Sequence, residues 1–62
     1  MPNIQELTEH GYTEDSTFGL YFRKDRKGNL HTYMENDKVE GEWIYAKYNS
    51  RNRCVRQFTF VP

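Results

Sequence analysis

The side chains best suited to recognition chemistry fall in two short clusters. One is Arg51, Asn52 and Arg53, with Arg56 close behind; the other is Arg23, Lys24, Arg26 and Lys27, interrupted by Asp25. Arginine presents a planar fork of donors that matches phosphate or carboxylate, and it stacks on rings. Trp43, Tyr45 and Tyr48 stand near enough in sequence to supply those rings. Trp, Tyr and Arg also dominate the energetics of desolvated protein interfaces. The candidate binding residues are therefore Trp43, Tyr45, Tyr48, Arg51, Arg53, Arg56, Arg23, Lys24, Arg26 and Lys27.

Groups for catalysis are sparse. His10 and His31 are the only histidines and Cys54 the only cysteine. A Cys54–His31 couple across strands would lack a third group to orient it. Glu40 and Glu42 fall on one strand face and could pair, but solvation is the usual fate of such carboxylates. His10, His31 and Cys54 are too scattered for a metal set, and no phosphate loop, dinucleotide fingerprint or calcium loop occurs. The expectation is a chain that is not an enzyme, with no catalytic residue, no metal and no cofactor.

Short elements must position these side chains. Asn3 can cap a helix that begins at Ile4, with Glu6 three residues on and Gly11 as a stop. Pro2 ahead of it fits an extended lead-in. Residues 12–16 read as an acidic connector, completing a helix-and-connector segment over 1–16. From Phe18 the apolar period changes to two. Strands are expected from Phe18 to Arg23, from Leu30 to Glu35, from about Val39 to Tyr48, and from Cys54 to Val61. The turns between them are Asp25–Gly28, Asn36–Lys38 and Asn49–Asn52. The fold class is mostly β, a small α+β chain: a four-stranded antiparallel meander over 17–61, open or curled into a small barrel, with one short N-terminal helix. Phe18, Leu20, Phe22, Phe58 and Phe60 are expected on one face and Tyr21 and Tyr33 on the other. Which face of the third strand is buried is open.

The run from Gly28 through Tyr33 to Gly41-Glu42-Trp43 and Tyr45 resembles one hairpin repeat of MORN-type proteins, a family of interaction scaffolds. The likeness covers about one repeat and carries no assignment. After Tyr45 the chain departs from it, because no second glycine-bearing repeat follows.

The 62-residue chain has 9 basic and 9 acidic side chains, a formal net charge of zero and a mean hydropathy of -1.06. The zero net charge argues against a bulk polyanion binder but leaves room for a local patch. A domain this short buries only about 60% of its unfolded surface. Its ten Phe, Tyr and Trp residues, 16% of the chain, set it apart from a disordered polar sequence. No apolar run is long enough to span a membrane, and the N-terminus lacks a basic-then-apolar secretory pattern, so a cytoplasmic setting is expected.

The zero balance hides segregation. Residues 1–16 carry -4, 17–28 carry +3, 29–42 carry -3 and 43–62 carry +4. Alternate turns of a meander lie at one end of its sheet. The first and third turns, both basic, should meet there, opposite the acidic second turn. The functional expectation is a small regulatory or inhibitory protein-protein interaction module, of the kind phages and mobile elements encode. It would bind a protein partner, with room for a homodimer through an exposed ring face. The alternative is a binder of single-stranded nucleic acid or a nucleotide, using the basic Arg/Lys pole and adjacent aromatics.

Overall fold

Each strand reversal begins at an Asp or Asn whose side chain accepts a backbone N–H two residues on. Asp15 accepts from Thr17, Asp25 from Lys27, Asn36 from Lys38 and Asn49 from Arg51, at 2.9–3.0 Å. Each reversal then closes on a residue with positive φ: Gly19, Gly28, Gly41 and Asn52. Asn is among the few non-glycine residues that adopt this conformation readily, so Asn52 has a backbone role.

The computed structural model describes residues 3–62, which places Pro2 outside the described residues. The Asn3 side chain accepts from the N–H groups of Gln5 and Glu6 and caps helix α1, Ile4–Glu9. Gly11, at φ 86°, turns the chain out of it. Five strands follow: β1 Thr13–Asp15, β2 Leu20–Lys24, β3 Leu30–Glu35, β4 Trp43–Tyr48 and β5 Cys54–Phe60. They form one open antiparallel sheet in chain order. The mostly β meander with its N-terminal helix is as expected from the sequence, with one strand more and no closure into a barrel.

The additional strand lies in the acidic connector. Asp15 holds the turn that follows it, and this folds Thr13–Asp15 back onto Phe22, Tyr21 and Leu20. Phe18 consequently sits in that turn, 71% exposed, rather than in a strand. β4 begins at Trp43, not Val39, because the reversal from Asn36 to Gly41 consumes the intervening residues. Glu40 is therefore in the turn, and the Glu42 carboxylate accepts from the Asn36 side-chain amide, so the two do not pair on a strand.

Cross-strand register sorts the sheet into two faces. Glu14, Tyr21, Tyr33, Tyr45 and Phe58 form one row, and Glu35, Trp43 and Phe60 form the next. Phe58 and Phe60 thus share the tyrosine face, not the face of Leu20 and Phe22. The displacement originates at an irregularity between Lys47 and Tyr48, where Tyr48 pairs with Cys54 and Lys47 with Arg56. The second face holds Leu20, Phe22, Leu30, Thr32, Met34, Ile44, Ala46 and Tyr48.

α1 lies over the tyrosine face. The Tyr12 and Tyr33 rings are 5.4 Å apart, Arg23 Nη1 donates to the His10 carbonyl, and Leu7 is buried. Ile4, Tyr21 and Trp43 line a hollow at the N-terminal end of the helix. Among the described residues the hydrophobic side chains buried below a tenth of their surface are Leu7, Trp43 and Ala46, and no large side chain is fully buried. A chain of this size has little core to itself.

Candidate interaction site

The basic turns meet as the meander dictates. A Cβ on Gly28 would lie 3.5 Å from the Ser50 Cβ, so the Asp25–Asn29 and Asn49–Arg53 reversals touch. Both are held by their first residue. Asp25 accepts from the N–H groups of Lys27 and Asn29, and Asn49 from those of Arg51 and Arg53. The turn backbones are satisfied internally, which leaves Lys24, Arg26, Lys27, Arg51 and Arg53 exposed at one end of the sheet. The reversal at the other end carries Asp37, Glu40 and Glu42 against Lys38.

The remaining candidates separate. Arg23 leaves the cluster and lies on the tyrosine face, its guanidinium 5.3 Å from the Tyr12 ring centroid and its Nε buried with no hydrogen-bond partner. Trp43 is only 4% exposed and serves the core under α1. Tyr48 lies on the opposite, aliphatic face. Tyr45 and Arg56 remain on the tyrosine face beyond the helix. There the rings of Tyr33, Tyr45 and Phe58 form a continuous row, with centroids 5.0 and 5.1 Å apart, and Phe60 flanks it. The Arg56 guanidinium lies 5.4 Å from the Phe58 centroid. Between this row and α1 runs a groove of about 440 Å³, into which Glu6, His10 and Arg23 also project.

β5 adds a feature that residue type does not reveal. It is an outer strand, exposed from Cys54 through Thr59, and its outer backbone edge faces no other strand of the described residues. Residues 49–62 hold Arg51, Arg53 and Arg56 and no carboxylate. Val55 and Phe58 are 54% and 42% exposed along it. An unpaired edge of this kind is a template for an incoming strand.

His31 takes part in a network not expected from the sequence. Its Nε2 lies 2.9 Å from the Asp25 carboxylate and its Nδ1 lies 2.7 Å from the Tyr45 hydroxyl. An ionised carboxylate only accepts, so Nε2 carries a proton; in the neutral ring Nδ1 then accepts the Tyr45 proton. The His31 bond, followed by backbone N–H donation, holds the Asp25 carboxyl well below the usual range. Burial, reinforced by neighbouring Tyr33, pushes the Tyr45 phenol up, and the same two causes raise Tyr12. Cys54 is on the aliphatic side of the register, and its thiol approaches the Arg56 carbonyl, so it does not meet His31. Among the described residues no three His, Cys, Asp or Glu side chains gather as metal ligands.

No family model, curated protein or solved structure matches this chain. Among the described residues no helix is long and apolar enough to cross a membrane.

Proposed function

We propose that the protein is a non-enzymatic interaction module, regulatory or inhibitory in kind, that captures an extended acidic segment of a protein partner along β5. The observation that carries this reading is the exposed outer edge of β5 in a stretch with three arginines and no carboxylate. Strand addition gives affinity through backbone hydrogen bonds and specificity through alternate side chains. Acidic residues of the incoming strand meet Arg51, Arg53 and Arg56, while apolar ones lie beside Phe58 and Phe60. An exposed free thiol at Cys54 suits a reducing compartment, and we place the protein in the cytoplasm.

The test is fluorescence anisotropy of a labelled extended peptide with Glu in the half that meets Arg51, Arg53 and Arg56 and Val in the half that meets Phe58 and Phe60, against the wild type and a triple variant, R51E/R53E/R56E. Saturable binding that the variant loses by tenfold or more is the expected result. Equal binding by both proteins, or none by the wild type, overturns the reading.

A second reading rests on the ring row. Tyr33, Tyr45 and Phe58 beside Arg56 are the parts of a stacking platform for single-stranded nucleic acid. Labelled single-stranded DNA and RNA in the same assay separate the two, because phosphate contacts give a steep loss of affinity with salt.

A further inference from the structure

Among the described residues no helix lies over the face opposite α1, where only the small central side chains Thr32 and Ala46 are buried. Around Thr32 and Ala46, the larger Leu20, Phe22, Leu30, Met34, Ile44 and Tyr48 each keep part of their surface exposed. The one helix of the described residues lies on the other side. Charge on the aliphatic face is confined to the two ends of its β1–β2 side: Asp15 at the end of β1 and Lys24 at the far end of β2.

We propose that this face is buried against a second copy of the chain, in a symmetric dimer whose twofold axis runs across the strands. Charge selects both the occupant and the axis. The chain is neutral overall, so two copies meet without net repulsion. Its ends are not neutral. Lys24, Arg26, Lys27, Arg51 and Arg53 crowd one end against Asp25, and Asp37, Glu40 and Glu42 crowd the other against Lys38. An axis across the strands lays the basic end of each copy over the acidic end of its mate, twice. It also brings Lys24 near the corner that holds Asp15 of the second copy. An axis along the strands would stack like ends on each other, at a cost. The resulting sandwich, about 10 Å between sheets, supplies the core that a single copy lacks. In this arrangement the ring row and the outer edge of β5 face outward in both copies, while Arg51 and Arg53 serve both the dimer and the strand captured at β5; Lys24 and Ile44 belong to the dimer alone.

Sedimentation equilibrium of the full chain tests this. The expected mass is twice the 7.5 kDa of one copy, with a dissociation constant that rises with salt. Lys24→Glu, at an exposed corner where the fold is indifferent to it, should weaken the dimer roughly tenfold. Ile44→Glu should give a monomer, with circular dichroism to check that the sheet persists. Phe58→Glu, on the opposite face, should leave the dimer unchanged. A monomer at hundreds of micromolar overturns the proposal. So does a dimer that ignores Lys24→Glu and dissociates on Phe58→Glu.

Discussion

His31 and Tyr45 stand on neighbouring strands with imidazole Nδ1 2.7 Å from the phenolic oxygen, and this contact ties the basic end of the sheet to its ring row. The other imidazole nitrogen reaches Asp25, the residue that builds the first basic turn. The turn therefore takes its shape from its own backbone and its position from a strand two elements away. A basic cluster presented on such an anchored turn loses less side-chain and backbone freedom when it binds.

That anchoring sets an acid limit. Asp25 has a folded pKa well below its ordinary value of 3.8, chiefly because His31 bonds to the charged form. A depressed carboxyl stabilises the fold above the unfolded pKa, and the contribution is lost as pH falls through the folded value. Urea midpoints of the wild type should fall progressively below about pH 4. Asp25→Asn should start lower and show a flatter acid limb. An unchanged limb in the variant would assign the acid sensitivity elsewhere.

Trp43 is buried at the α1 end of the sheet, and its removal should act through folding. Truncating a buried Trp to Ala costs about 3–5 kcal/mol. A 62-residue domain has about 3–9 kcal/mol in total. Trp43→Ala should therefore melt broadly or be largely unfolded at room temperature by circular dichroism, while Trp43→Phe retains a cooperative transition. A Trp43→Ala variant that melts like the wild type would remove the indole from the core.

Turn chemistry made much of the fold legible. Asp25 and Gly28, and Asn49 and Asn52, bracket reversals in the residue types those conformations require, and Asn3 with Gly11 brackets the helix; the second reversal was legible only at Asn36, because Gly41 falls where the period-two pattern reads as strand. β1 was not legible, since Thr13-Glu14-Asp15 has no apolar alternation and pairs only because Asp15 closes the next turn. The face of Phe58 and Phe60 was hidden for another reason. Alternation fixes which residues of β5 share a face, but the irregularity at Lys47 and Tyr48 decides which face that is. The basic end followed from turn order alone. The burial of Trp43 did not, because it depends on where a six-residue helix comes to rest. The His31 network left one trace in the sequence: Asp25 and His31 flank the same short reversal.

α1 is too short to be stable alone and holds its place through its cap and Leu7. Asn3→Ala removes the acceptor for the Gln5 and Glu6 N–H groups and should cost about 1 kcal/mol in a urea titration. Leu7→Ala should cost about 2–5 kcal/mol, because it also uncovers Tyr12 and Tyr33. The two losses share one helix, so the double variant should fall short of their sum. Strict additivity would mean that cap and anchor act independently, contrary to the docking of α1 as a unit.

The phenols set an alkaline limit of opposite sign to that of Asp25. Tyr12 and Tyr45 are raised above their ordinary value of 10.0 by burial first and by Tyr33 second, so the fold favours their neutral forms. Once pH exceeds the unfolded value, the unfolded chain ionises more readily than the folded one, and stability falls as pH continues through the folded values. The urea midpoint should therefore hold steady below about pH 9 and decline above about pH 10. Tyr45→Phe removes one of the two groups and also the hydroxyl that meets His31. It should lower stability at neutral pH by about 0.5–1.5 kcal/mol, the ordinary net worth of a hydrogen bond, and make the alkaline decline shallower. A Tyr45→Phe variant with the wild-type alkaline slope would show that its phenol ionises as easily folded as unfolded. The spectrophotometric tyrosine titration of the native protein would then show Tyr12 alone delayed beyond the ordinary value.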